Sequence, residues 1–283
     1  MQKVTHSEYI AQKKPLAKQL LAKLNEKYQY ASVLITDNYE KGYRASRSGV
    51  AISATNAFGG KGMIVKVYDG KGYAEYSTNE ITAENLPEIE REIEQQLMNP
   101  ANFIPEGTEE AEYKCISDEP CTLCEATDYE IHPREVGDEK LIETVTALRE
   151  KAVKADERIL DAITGFNYQE YHKLFLSANR ELEQSVLYST GIMALVAAKG
   201  EEIKQSFRGF SNLGGAELLD KMESAIPQCV KTVTDLLNAE PMEPGTYECV
   251  CTPEVTGMIV HEAFGHGVEM DMFVKDRALA QSY

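Results

Sequence analysis

The chain has 283 residues, 43% hydrophobic and 27% charged, the composition of a globular protein of one to three domains. Its formal net charge is −17, from 46 acidic and 29 basic residues, and no basic patch offsets it; this repels phosphate and excludes direct nucleic-acid binding. No apolar run approaches the roughly 18 residues of a membrane-spanning helix, and Met1-Gln-Lys-Val-Thr-His6 lacks the apolar core of a signal peptide, so the expectation is a cytoplasmic protein with no membrane partner.

Residues 7–28 read as an amphipathic helix, with Leu16, Leu20, Leu21 and Leu24 at helical spacing, Ser7 as N-cap, and Pro15 as a kink or delayed start. Residues 31–37, 49–57 and 63–68 alternate as strands, and Asp69-Gly-Lys-Gly72 is a hairpin turn leading into a strand at 73–77. Gly59-Gly60-Lys61-Gly62 lacks the spacing of a phosphate loop and reads as another turn. Residues 82–98 form a second helix with Ile89, Ile93 and Leu97 on one face and Thr82 at its start.

Prolines 100, 105, 120 and 133 mark an acidic, irregular crossover over 99–137. Within it Cys121-Thr-Leu-Cys124 has the spacing of half a zinc site, with His132 nearby, but no second pair follows and free thiols are the expected state. The periodicity then predicts a long helix over 138–163, strands at 170–177, 181–187, 192–198 and 202–210, and a helix over 216–237. Arg208 stands between aromatic residues. Residues 241–245 break the pattern, and 247–252 read as a strand.

The two halves share a plan of helix, antiparallel strands and helix. This gives an α+β fold: antiparallel sheets flanked by helices in two similar units. The expected divisions are a first α/β unit at 1–110, a linker at 111–137, a second unit at 138–240, and the start of a further, β-rich domain at 241–283.

The chemistry concentrates in Thr256-Gly-Met-Ile-Val-His261-Glu262-Ala-Phe-Gly-His266-Gly-Val-Glu269. Imidazole suits zinc, and a carboxylate directly after the first histidine is placed to take a proton from water activated by the metal. Histidines five apart stand about 140° away from each other on a regular helix and would splay. One looped-out residue, a π-bulge, brings them together, and Gly265 and Gly267 weaken the helix there by about 1 kcal/mol each. A local irregularity is therefore expected over residues 264–267.

His-Glu-Ala-Phe-Gly-His resembles the HExxxH signature of the TldD/PmbA metallopeptidases, also called modulators of DNA gyrase. The resemblance extends to Phe207-Arg-Gly-Phe-Ser-Asn-Leu-Gly-Gly215, to Pro253-Glu-Val-Thr-Gly257, and to Ser46-Arg-Ser-Gly-Val50 and Tyr73-Ala-Glu-Tyr-Ser-Thr-Asn79. It implies a zinc peptidase acting on peptides or partly unfolded segments, with His261 and His266 as metal ligands and Glu262 as general base. It also implies a homodimer, or a heterodimer with a family paralogue. Members of that family continue through a β-rich catalytic domain whose cysteine supplies a third ligand. The expectation is therefore a chain truncated after the motif, with Glu269 as a candidate additional ligand and Cys249 and Cys251 as weaker ones. The alternative is an inactive fragment or a non-catalytic partner subunit acting as a protein-interaction domain.

Overall fold

The computed structural model describes residues 1–54, 60–98, 114–274 and 277. It divides into two units, Met1–Ala239 and Glu240–Tyr283, each described by itself. In chain order the first runs β1 (Gln2–Lys3), α1 (Glu8–Lys27), β2 (Tyr30–Ser46), β3 (Gly49–Ala54), β4 (Gly62–Tyr68), β5 (Tyr73–Thr78) and α2 (Leu86–Met98). It continues with β6 (Cys121–Ala126), β7 (Asp128–Tyr129), α3 (Pro133–Val136), α4 (Asp138–Lys154), β8 (Ile159–Ser177), β9 (Arg180–Lys199), β10 (Glu202–Leu213) and α5 (Leu218–Leu236).

Eight of these strands form one sheet in the order β10-β9-β8-β2-β4-β5, with β3 added to β2 and β6 added to β9. All pairings are antiparallel except β6 with β9. The fold is α+β, an antiparallel sheet flanked by helices. Strand parity shows how the helices are seated. On β2 the residues that enter the apolar cores, Ala31, Val33, Ile35, Tyr43 and Ala45, are all odd, and on β8 beyond the irregularity at Ile159 and Asp161 they are all even: Ala162, Phe166, Tyr168, Leu174 and Leu176. One face of two long strands is thus covered along its length.

That face carries two separate cores. Leu20, Leu24, Ile89 and Ile93 of α1 and α2 pack on Val33, Val65 and Leu174. Leu141, Val145, Met222 and Ile226 of α4 and α5 pack on Phe166, Leu195 and Tyr43. Between Tyr168 of the second core and Leu174 of the first, the same face of β8 presents Glu170 and His172, both buried. A polar seam therefore divides two apolar cores on a single continuous sheet.

Several strand limits differ from the sequence pattern. The helix expected over 138–163 stops at Lys154: Asp156 accepts bonds from the backbone and guanidinium of Arg158, a turn forms, and Ile159 enters β8. Ile159 and Ala162 suit either period. The strands expected at 181–187 and 192–198 are one, β9, which runs through Gly191. A Cβ on Gly191 would lie 2.4 Å from Met222 Sδ, so this glycine reflects the close approach of α5 and not a break. Likewise β2 continues past residue 37 to Ser46, because its polar middle pairs with β8 across the seam. The second helix begins at Leu86, after Thr82 and Asn85 exchange side-chain bonds to each other's backbone N–H. Ser7 caps α1 as expected, accepting from the N–H of Ile10 at 3.1 Å. Residues 55–57 of the expected third strand, and prolines 100 and 105, lie outside the described residues.

Candidate metal centre

The second unit holds the motif. Residues 246–252 form no strand, contrary to the sequence pattern; Val250 is fully exposed, and a strand without a neighbour leaves its ladder groups to water. The helix α6 (Pro253–Val260) starts with proline in its first turn, where the missing N–H costs nothing. At His261 the helix changes character. Residues His261–Gly265 form a π turn, His266–Val268 a 3₁₀ turn, and α7 (Met270–Val274) follows. The irregularity expected over 264–267 is present and begins three residues earlier.

The wide turn does what the spacing required. The rings of His261 and His266 stand edge to face, with centroids 4.5 Å apart and planes at 77°. One nitrogen from each ring and one carboxylate oxygen of Glu262 lie within 4.8 Å of one another. His266 Nε2 is 3.7 Å from Glu262 Oε2, while its Nδ1 is 2.8 Å from Glu269 Oε1. Glu262 and Glu269 thus engage opposite nitrogens of one ring. Among the described residues, the group able to hold a metal is His261, Glu262 and His266. Glu269, Cys249 and Cys251 are not part of it.

All three cluster residues are exposed, and so are Met258, Ile259, Val260 and Phe264 around them. The donor set is two neutral-capable imidazoles and a carboxylate, the nitrogen and oxygen chemistry that zinc accepts. Cys121 and Cys124, the other pair singled out by spacing, lie on β6 as free thiols, and among the described residues they form no metal-holding group with His132. Cys124 instead contacts His6, a pairing across 118 positions of sequence that no local motif signals. Arg208 lies over the ring of Phe210 at 5.4 Å.

This is an α+β protein with a histidine–carboxylate cluster on a distorted helix. The fold is that of the TldD/PmbA, or modulator of DNA gyrase, proteins, in keeping with the resemblance of the motif. It matches a modulator of DNA gyrase from Bacteroides thetaiotaomicron with a TM-score of 0.64 at 16% identity, over 90% of this chain and 56% of that one. It also matches TldE from Thermococcus kodakarensis with a TM-score of 0.56 at 14% identity, over 77% and 47%. Among its sequence relatives are metalloproteases. The one from Archaeoglobus fulgidus is 33% identical over 95 residues, 34% of this chain and 22% of the relative. The one from Methanocaldococcus jannaschii is 19% identical over 259 residues, 90% and 55% respectively. The chain therefore spans about half the length of the longest-matched relative. No protein-family model matches it.

Among the described residues, no helix is long and apolar enough to cross a membrane.

Proposed function

We propose that this chain carries the metal-binding element of a zinc-dependent peptidase. The observation that supports it most directly is the juxtaposition of His261 and His266, five positions apart, across a π turn. A regular helix would not bring these two rings together; the distortion does, and it leaves Glu262 beside them. His261 and His266 would hold the ion through ring nitrogens. When bound, zinc supplies a Lewis acid that polarises a carbonyl and makes water more acidic.

The chain's own groups then divide the remaining work. Glu262 takes a proton from the attacking water and returns it to the leaving amine. Glu269, fixed on Nδ1 of His266, holds the ring so that Nε2 faces the cluster. Hydrogen bonds of this kind set the tautomer and raise the basicity of a ligating imidazole. The substrates on this reading are peptides or partly unfolded segments. The working assembly is a homodimer or a heterodimer with a paralogue, with further ligands or substrate contacts supplied by sequence that the longer relatives contain.

Zinc titration of the purified chain by calorimetry tests the reading. Wild type is expected to bind one equivalent, and His261→Ala and His266→Ala to lose it. Equal affinity in wild type and His261→Ala would reject the site. Binding without cleavage of an unfolded casein substrate would favour the non-catalytic subunit instead.

A further inference from the structure

The metal motif uses two of the five histidines. The other three, His6, His132 and His172, all lie at the polar seam of the first unit, and they end at an exposed thiol. Cys124 Sγ is 3.4 Å from His6 Nε2. His6 Nδ1 is 2.9 Å from Ser185 Oγ, and Ser185 Oγ is 2.9 Å from His172 Nδ1. His172 Nε2 is 3.7 Å from Glu170 Oε2. Glu170 is held in turn by Arg134 Nε at 2.7 Å and faces His132 Nε2 at 3.6 Å.

The donors and acceptors in this row can all point one way. The thiol donates to His6 Nε2, and His6 Nδ1–H donates to Ser185. Ser185 donates to His172 Nδ1, and His172 Nε2–H faces the Glu170 carboxylate. Every member then donates once, from a surface sulfur to a buried anion. Glu183 Oε1 also lies 3.6 Å from His6 Nδ1, with Lys14 on its other oxygen at 2.9 Å. Proton transfer from Cys124 would place a cation on His6 between a thiolate and two carboxylates, one direct and one through the row.

The position of His6 is fixed from both sides. Val4 N–H donates to Thr127 O at 3.0 Å, tying the N-terminal segment beside β6, and Ser7 caps α1 one residue later. Its partner Ser185 is buried at 1% exposure. This is the arrangement of nucleophile, base and orienting group by which a thiol is activated.

We propose that Cys124 is an activated thiol, with His6 as its base and Ser185 as positioning residue, and that it undergoes exchange with small aliphatic disulfides. In the step, the S–H proton passes to His6 Nε2. The sulfur lone pair forms a bond to one sulfur of the disulfide, and that S–S bond breaks. Its electron pair leaves on the second sulfur, which takes the proton back from His6. The products are a mixed disulfide on Cys124 and a small free thiol. The disulfide itself is the only oxidant.

Four other exposed cysteines, Cys115, Cys121, Cys249 and Cys251, provide an internal comparison. The fully reduced chain would be treated with bis(2-hydroxyethyl) disulfide at pH 6.5 and each cysteine followed by peptide mass mapping. An ordinary thiol is only about 1% ionised there.

With His6 Nε2 3.4 Å from the sulfur and able to take its proton, Cys124 is expected to react at least about fivefold faster than the other four. His6→Gln should bring it to their rate, and Ser185→Ala to a rate between. If Cys124 reacts no faster than the others, or keeps its advantage in a folded His6→Gln, the assignment is wrong. Should that variant melt early, His6→Asn is measured in its place, and an undiminished Cys124 rate there overturns the proposal.

Discussion

His266 Nδ1 and Glu269 Oε1 are 2.8 Å apart, and this contact decides which nitrogen of the ring faces Glu262. A carboxylate on one nitrogen of an imidazole makes the other the better ligand. On the proposed reading, Glu269 acts through His266 and is not itself a ligand. On that basis Glu269→Gln is expected to weaken zinc binding by about 10- to 100-fold without abolishing it. Competition with a calibrated chelator measures this. A loss as complete as that of His266→Ala would make Glu269 a ligand.

Glu262 is assigned a different task, and a substitution can separate the two. Glu262→Gln keeps the shape of the side chain and removes its capacity to take a proton. Zinc affinity is expected to fall by less than about tenfold, and peptide hydrolysis by the complete enzyme to fall by about 10²- to 10⁴-fold. If zinc is lost together with activity, the carboxylate belongs to the ligand set and another base must be sought.

Glu170 gives the first unit a specific acid sensitivity. Burial raises its carboxyl pKa, but the neighbouring His172, Arg134 and His132 outweigh it, and the group is held below the usual glutamate range. A depressed folded-state pKa contributes stability above the unfolded value, near 4.3, and loses it as pH falls through the lower folded value. Glu170→Gln should therefore lower stability at pH 7 by about 1–3 kcal/mol, or roughly 2–10 °C in melting temperature. The gap between wild type and variant should narrow as pH falls below the unfolded value and close once pH is below the folded one. Thermal melts at pH 7 and pH 3.5 check both parts, and a pH-independent gap would mean that the loss is one of packing alone.

The sequence announced these features unevenly. Helical periodicity located α1, α2, α4 and α5, because each buries one apolar stripe and the stripe is written locally. The π turn was legible from the five-residue histidine spacing, since only a distorted helix joins such rings. Glycine's conformational freedom was the weaker half of that argument: Gly265 takes ordinary helical angles, and a Cβ there would meet nothing closer than 3.7 Å. The lengths of β2, β8 and β9 were not legible, because their polar middle segments look like loops until each strand finds its neighbour. The seam was missed for the same reason. His6, Cys124, Glu170, His172 and Ser185 are scattered over 180 positions, and only the sheet brings them together.

Glycines 209 and 215 supply the last prediction, since they sit a few residues apart in very different surroundings. A methyl group on Gly215 would lie 2.0 Å from the carbonyl oxygen of Ile131 and 3.0 Å from Pro133 Cδ. That carbonyl is not free to move. It accepts the N–H of Ala216 at 2.8 Å, while Glu217 bonds the N–H groups of both Ile131 and Gly215. Ser189, buried on β9, donates to the carbonyls of Gly214 and Gly215. The joint between residues 131–133 and the start of α5 is thus tied on three sides, and Gly215→Ala must separate backbone from backbone. The expected loss is about 2–4 kcal/mol, or about 5–15 °C in melting temperature. A Cβ on Gly209 meets nothing within 4 Å, and that residue lies inside strand β10. Gly209→Ala should leave stability unchanged or raise it by up to about 1 kcal/mol. Melting both variants against wild type distinguishes a glycine required by close packing from one that is not, and equal effects at the two positions would contradict the tight joint at Gly215.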